Sequence, residues 1–200
     1  MVQDGDTLPP GGYTRAAGSG KRATEGIVDP GAMYQRFAAG ATIVLEGLHK
    51  QWPPLATFCR ELEESVGHPF QVNAYITPKG SQGFVKHSDD HDVFVLQVFG
   101  SKDWSVWDRE DSGGVLLFEE AIRDGDCLYI PDGFPHAART ADEASAHLTV
   151  GALTSTRAQL AEELLRSGLA GLALWWIDNP DTPIEVVAAV AGRISESALA

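Results

Sequence analysis

Residues 73–102 read NAYITPKGSQGFVKHSDDHDVFVLQVFGSK. Polar and apolar side chains alternate at the start, an apolar run closes the stretch, and Pro78, Gly80 and Gly83 interrupt it. Short β-branched and aromatic segments bounded by turn residues read as strands. The pattern continues outward through FQVNAYIT, FVKH, DVFVLQVF, WSVW, CLYI, HAAR and SAHLTVGAL. Their short, fairly regular spacing predicts a mainly β chain, an all-β barrel or jelly roll, and disfavours alternating βαβ units.

On the N-terminal side, Pro9-Pro10-Gly11-Gly12 and GSGKR carry little apolar periodicity, so residues 1–26 read as an extended arm. Asp29-Pro30 predicts a helix start that Gly40 ends, because the carboxylate accepts an orphan amide hydrogen and Pro loses nothing at the first helical position. Thr42-Ile43-Val44-Leu45 reads as a buried strand. Pro53-Pro54 opens a second helix with Leu55, Phe58, Cys59, Leu62 and Val66 on one face, and Gly67 closes it.

Beyond Leu153 the spacing predicts a helix over TRAQLAEELLRSG, capped by Thr154 or Ser155, and a last Ala/Val-rich helix over 183–197. LAGLALWWI, residues 169–177, is the longest apolar stretch and is too short to span a bilayer, so it is core or interface. The expected organisation is an arm over 1–26, a jelly roll with N-terminal helices over 27–154, and a short helical segment over 155–200. That last segment needs a partner for its apolar faces, either the barrel or, as a homodimer, a second subunit.

Composition narrows the partners. With 44% hydrophobic residues the chain is not disordered by composition, and a formal charge of −13 excludes a general nucleic-acid binder and favours a basic protein or peptide partner. Cys59 and Cys127 are too few and too far apart for a disulfide framework, and read as reduced thiols of a cytoplasmic protein. No signal peptide or membrane span is expected.

The chemistry concentrates at His87, Asp89 and His91. Residues i and i+2 of a strand project to one side, so His87 and Asp89 can converge on one ion. His136, in GDCLYIPDGFPH, is the best distant partner. Two histidines and one carboxylate on one face of a metal are the ligand set of non-haem Fe(II) oxygenases. Asp89, His91 and His136 form an alternative triad of the same chemistry. His49 and His68 sit beside helix ends and read as solvated or capping residues, and His147 as a hydrogen-bonded core residue. Asp90 and Asp92 alternate with the ligands and should point away.

The run N-x-Y-x-T-P…Q-G-F-x-x-H-x-D-x-H-D-V-F-V-L-Q…G-x-K-x-W, followed by G-D-x-L-Y-I-P-x-G…H-A-A and S-x-H-L-T, closely resembles the cupin-like Jumonji-C ribosomal oxygenases. The resemblance implies a double-stranded β-helix and an Fe(II)- and 2-oxoglutarate-dependent oxygenase that uses dioxygen to hydroxylate a protein or peptide side chain, a ribosomal protein among them. It implies His87, Asp89 and His136 as iron ligands. It assigns Lys102 to the distal carboxylate of 2-oxoglutarate, and Asn73, Tyr75 and Thr149 to the lining of the cosubstrate pocket. The chain departs from the pattern in a short segment between Trp107 and Gly125, in Asp132 where the family commonly has Arg, and in the limited length after the barrel. A small-molecule or natural-product hydroxylase and a non-catalytic metal-binding cupin-like protein are the alternative readings of the same motifs.

Overall fold

The structure, a computed structural model, describes residues 1–18, 24–109, 114–153, 164–166, 169–179 and 187. The strands are β1 (Val2–Gln3), β2 (Asp6–Thr7), β3 (Thr14–Ala17), β4 (Thr24–Val28), β5 (Ile43–Leu45), β6 (Phe70–Thr77), β7 (Asp92–Phe99), β8 (Ser101–Trp107), β9 (Leu116–Arg123), β10 (Cys127–Ile130), β11 (His136–Arg139) and β12 (Ser145–Ala152). The helices are α1 (Pro30–Ala38), α2 (Pro53–Val66) and α3 (Ala170–Asp178). The chain divides into two units, Met1–Leu153 and Thr154–Ala200.

In the first unit β10-β7-β12-β6-β5 form one five-stranded sheet and β11-β8-β9 a three-stranded one, with antiparallel pairing throughout. Val93, Val95 and Ile130 of the larger sheet pack in one buried cluster with Trp104, Val106 and Ile122 of the smaller, so the inner faces meet. Fully burying such a side chain contributes about 1.5–3 kcal/mol. The expected double-stranded β-helix is the observed fold.

The chain crosses from the larger to the smaller sheet at Gly100, the single residue between β7 and β8. Its φ of +63°, and the collision a Cβ would have with the Ala144 carbonyl oxygen, reserve the position for glycine. Of the expected FVKH strand only the His87↔His136 bridge forms, and with the Gln82↔Arg139 bridge it holds this segment beside β11. β9 was not foreseen, because LLFEEAIR neither alternates cleanly nor buries more than Ile122.

Asp29 Oδ1 accepts the Gly31 and Ala32 amide hydrogens at 2.9 and 3.1 Å and starts α1 as expected. α2 ends at Gly67, φ +82°, and covers the outer face of the larger sheet, where Cys59, Leu55 and Leu62 pack on Phe70, Val72, Val150 and Ala152. Phe58 and Val66 are exposed, since the buried stripe follows Leu55, Cys59 and Leu62 and leaves them on its flanks. β5 is only partly buried because it is the sheet edge. The described part of residues 1–26 pairs into the short β1–β2 and β3–β4 hairpins, and Val2 bridges to Thr42.

In the second unit Leu164, Trp176 and Val187 are buried together, with Leu169 and Leu172 against them, while Leu174 and Trp175 are exposed. Most of the helices expected over TRAQLAEELLRSG and 183–197 lies outside the described residues. Among the described residues no helix is long and apolar enough to cross a membrane.

Candidate metal centre

Alternation on β6 and β12 sends Thr77, Tyr75, Asn73 and Gln71 into the barrel opposite Ser145, His147, Thr149 and Gly151. This polar lane leads to a cavity of about 230 Å³, lined also by His87, Asp89, His91, Lys102, Trp104 and His136. It is small for a ligand site, where about 300–1,000 Å³ is common.

At the mouth, one nitrogen or oxygen each from His87, Asp89 and His136 lies within 4.8 Å of the others. His87 Nε2 is 3.9 Å from Asp89 Oδ1 and His136 Nε2 is 3.7 Å from Asp89 Oδ2. His87 is a bridge residue and Asp89 lies in irregular chain just before the bend at Asp90–His91 that leads into β7, so they converge without the regular strand expected between them. Both imidazoles are oriented alike. The Nδ1–H of His87 donates to the Val85 carbonyl at 2.8 Å, and that of His136 to the Phe134 carbonyl at 3.0 Å. A carbonyl can only accept, so in its neutral form each ring carries its hydrogen on Nδ1 and presents a bare Nε2 toward Asp89. Burial holds the His136 pKa below the usual range, which keeps the ring neutral.

His91 has neither nitrogen free. Its Nδ1–H donates to Asp90 Oδ1 at 3.0 Å, and Gln71 Nε2 donates to its Nε2 at 3.4 Å. The ring lies over Gly151, where a Cβ would sit 2.6 Å from Nε2. Asp92 points away from the triad as expected, accepting from Tyr129 Oη at 2.8 Å and the Asp132 amide at 3.1 Å. His49 is a structural link, its Nδ1 accepting the Val72 amide hydrogen at 3.0 Å.

At the deep end Lys102 is 4% exposed. Its Nζ donates to Thr77 Oγ1 at 2.9 Å and to His147 Nδ1 at 3.4 Å, which leaves one of three ammonium hydrogens. Among the described residues no carboxylate pairs with it, and burial lowers its pKa to about 7. A buried cation without a counter-charge fits a site that receives an anion. His147 is held neutral by burial and by Lys102, and its ring stacks on Tyr75 with centroids 5.0 Å apart. Burial, and then the charge of Asp89, raises the Tyr75 pKa, so its hydroxyl stays a donor. Asn73 Oδ1 is occupied by the Gly47 amide at 2.9 Å, and Thr149 lines the cavity beside Tyr75. Among the described residues the buried Trp104 indole N–H, on the same wall, has no partner.

All seven residues singled out in the sequence line this one cavity. Thr77, His147 and Trp104 were missed as site residues, and carrying the period of two from Tyr75, Thr149 and Lys102 would have found them. The donor set fits a divalent transition metal, and the unpaired ammonium and indole hydrogens fit a small carboxylate reaching it.

The chain matches the JmjC domain family over residues 49–160. It is 33% identical over 167 residues to the bifunctional lysine-specific demethylase and histidyl-hydroxylase NO66 of Drosophila willistoni, covering 73% of this chain and 22% of that protein. It is 38% identical over 111 residues to the NO66 protein of Caenorhabditis elegans, covering 46% of this chain and 15% of that one. It thus spans under a quarter of the length of these relatives. The crystal structure of the Escherichia coli ribosomal oxygenase YcfD shares the fold with a TM-score of 0.56 at 20% identity, covering 86% of this chain and 48% of that one. The YcfD complex with cobalt and 2-oxoglutarate gives 0.51 at 22% identity, covering 71% and 40%.

Proposed function

The chain belongs to the JmjC domain family, and on that premise we propose that it is an Fe(II)- and 2-oxoglutarate-dependent oxygenase that hydroxylates a side chain of a protein or peptide. The observation that carries the reading is the pairing of two ends in one cavity: His87, Asp89 and His136 at the mouth and the unpaired Lys102 at the base.

In this proposal the two Nε2 atoms and the Asp89 carboxylate hold Fe(II), whose chemistry when bound is dioxygen activation coupled to decarboxylation of the 2-oxo acid. The other steps belong to the chain's own residues. Lys102 takes the distal carboxylate as a point charge, with Thr77 and neutral His147 fixing its ammonium group. Tyr75, Thr149 and Asn73 line the cosubstrate's path, Tyr75 as an un-ionised donor. The Val85 and Phe134 carbonyls keep the ligand nitrogens aimed. Valines and Trp104 exclude water from the cavity's inner wall.

A basic segment of a ribosomal protein is the favoured substrate. Support comes from the chain's charge of −13 and from the histidyl-hydroxylase and ribosomal oxygenase names of its relatives. The proposal includes a cytoplasmic location, read from free Cys59 and Cys127, and a homodimer through residues 155–200, supported by exposed Leu174 and Trp175.

The test is succinate release from 2-oxoglutarate with Fe(II) and a panel of ribosomal-protein peptides, free amino acids and small molecules, compared with His87→Ala. Peptide-stimulated succinate lost in the variant supports the proposal. Stimulation by small molecules alone replaces the substrate class, and metal binding without succinate leaves a non-catalytic cupin-like protein.

A further inference from the structure

One four-residue turn carries the supports of two of the three metal-centre residues, and a residue outside the centre braces it. We propose that Arg109 is a positioning residue, which holds the Pro131–Phe134 turn and through it sets Asp89 and His136 for metal binding. The inference rests on the metal-centre reading above.

The turn is closed by the Phe134 N–H donating to the Pro131 carbonyl at 3.2 Å. The Gly133 N–H donates to the Asp89 carbonyl at 2.9 Å, tying down the backbone of the residue that offers the carboxylate. The next carbonyl, that of Phe134, accepts the Nδ1–H of His136 at 3.0 Å and sets that ring's rotation. A displacement of this turn therefore moves a carboxylate and an imidazole together.

Two braces hold it. On one side the Asp132 amide donates to Asp92 Oδ1 at 3.1 Å, which ties the turn to the start of β7. On the other, Arg109 Nη2 donates to the Asp132 carbonyl at 2.7 Å and lies 3.6 Å from Asp132 Oδ2. The same guanidinium faces the Phe134 ring, 5.8 Å from its centroid, and passes 3.3 Å from where a Cβ on Gly133 would be. One planar group thus bonds Asp132 and lies beside Gly133 and Phe134, a reach that suits guanidinium better than ammonium.

Arg109 starts from a fixed base. The Asp108 amide donates to the Val115 carbonyl at 2.8 Å and the Gly114 amide to the Arg109 carbonyl at 3.2 Å, extending the pairing at the loop end of the β8–β9 hairpin. The Arg109–Asp132 ion pair has both side chains about half exposed, at 48% and 51%, so as a charge pair it adds little stability. What Arg109 supplies is the placement of the turn.

The test is titration of Co(II) into the full chain, followed by visible absorption, alongside thermal melts of the metal-free protein. Arg109→Gln is expected to weaken Co(II) binding about tenfold with an unchanged metal-free Tm. Arg109→Lys should recover only part of the affinity, because an ammonium can make the bond to the Asp132 carbonyl but cannot lie flat beside Gly133 and Phe134. Asp132→Asn should behave as wild type, because the 2.7 Å bond ends on a backbone carbonyl that the substitution keeps. Unaltered Co(II) affinity in Arg109→Gln overturns the inference, as does an affinity loss matched by a fall in metal-free Tm, or equal damage from Asp132→Asn. A wild-type chain that binds no Co(II) overturns the metal centre itself and the inference with it, so the two failures are told apart.

Discussion

His87 and His136 face each other as backbone partners: the His87 amide donates to the His136 carbonyl at 3.1 Å and the His136 amide to the His87 carbonyl at 2.7 Å. A metal held by both rings would cross-link the 82–87 segment to β11 a second time through side chains. Saturating metal at a hundred times its Kd should stabilise the chain by about 2.7 kcal/mol. The rise in Tm on adding Mn(II) should be reversed by chelator and absent in His87→Ala. A melt indifferent to metal in the wild-type chain would count against ligation.

His91 is expected to be a bystander, because both its nitrogens are engaged and its ring is packed over Gly151. His91→Ala should leave Co(II) affinity within about twofold, where loss of an outer partner of a true ligand commonly weakens binding 10–100-fold. A larger loss in this variant would return His91 to the ligand set.

Lys102→Met should separate stability from function. Removing a buried ammonium that has no counter-charge is expected to stabilise the cosubstrate-free protein by about 1–3 kcal/mol, read from denaturant unfolding. The same change should abolish measurable 2-oxoglutarate binding by calorimetry. Retained binding would reassign the deep end of the cavity.

The lowered Lys102 pKa gives two pH trends of known sign. Above about 7 the free pocket loses its positive charge, so 2-oxoglutarate affinity should fall with rising pH, by up to about tenfold per unit. Stability moves the other way. Between about 7 and 10.5 the unfolded chain holds a proton that the folded chain has released, so the metal-free protein gains stability with pH across that window. Lys102→Met should lack both slopes, in binding and in chemical denaturation at stepped pH.

What the sequence made legible follows from how strongly each segment alternates. β6, β7 and β12 were readable in place because burial largely alternates along them, and β10 and β11 because turn residues bound them on both sides. β9 was not, since Leu116, Leu117, Glu119 and Glu120 are all exposed and their pattern has no buried face to report. The 82–87 segment kept its place but not its strand, because two bridges carry the pairing that a ladder would. At the site, the H-x-D motif and His136 were legible as chemistry. The residues alone kept His91 as an alternative to His87, and the resemblance favoured His87. The contacts that engage His91 were not legible, because Asp90, Gln71 and Gly151 reach it from three different segments.

The base of the cavity has a consequence for the order of events. Thr77, Gln97, Lys102, Ser145 and His147 are each at most 4% exposed, so the inner end is buried, whereas His87 and Asp89 at the other end are partly exposed. A molecule that reaches Lys102 has to enter before anything that occupies the mouth, and its remnant cannot leave until the mouth clears. On the proposed reaction, the barrel behaves as a cul-de-sac that imposes first in, last out.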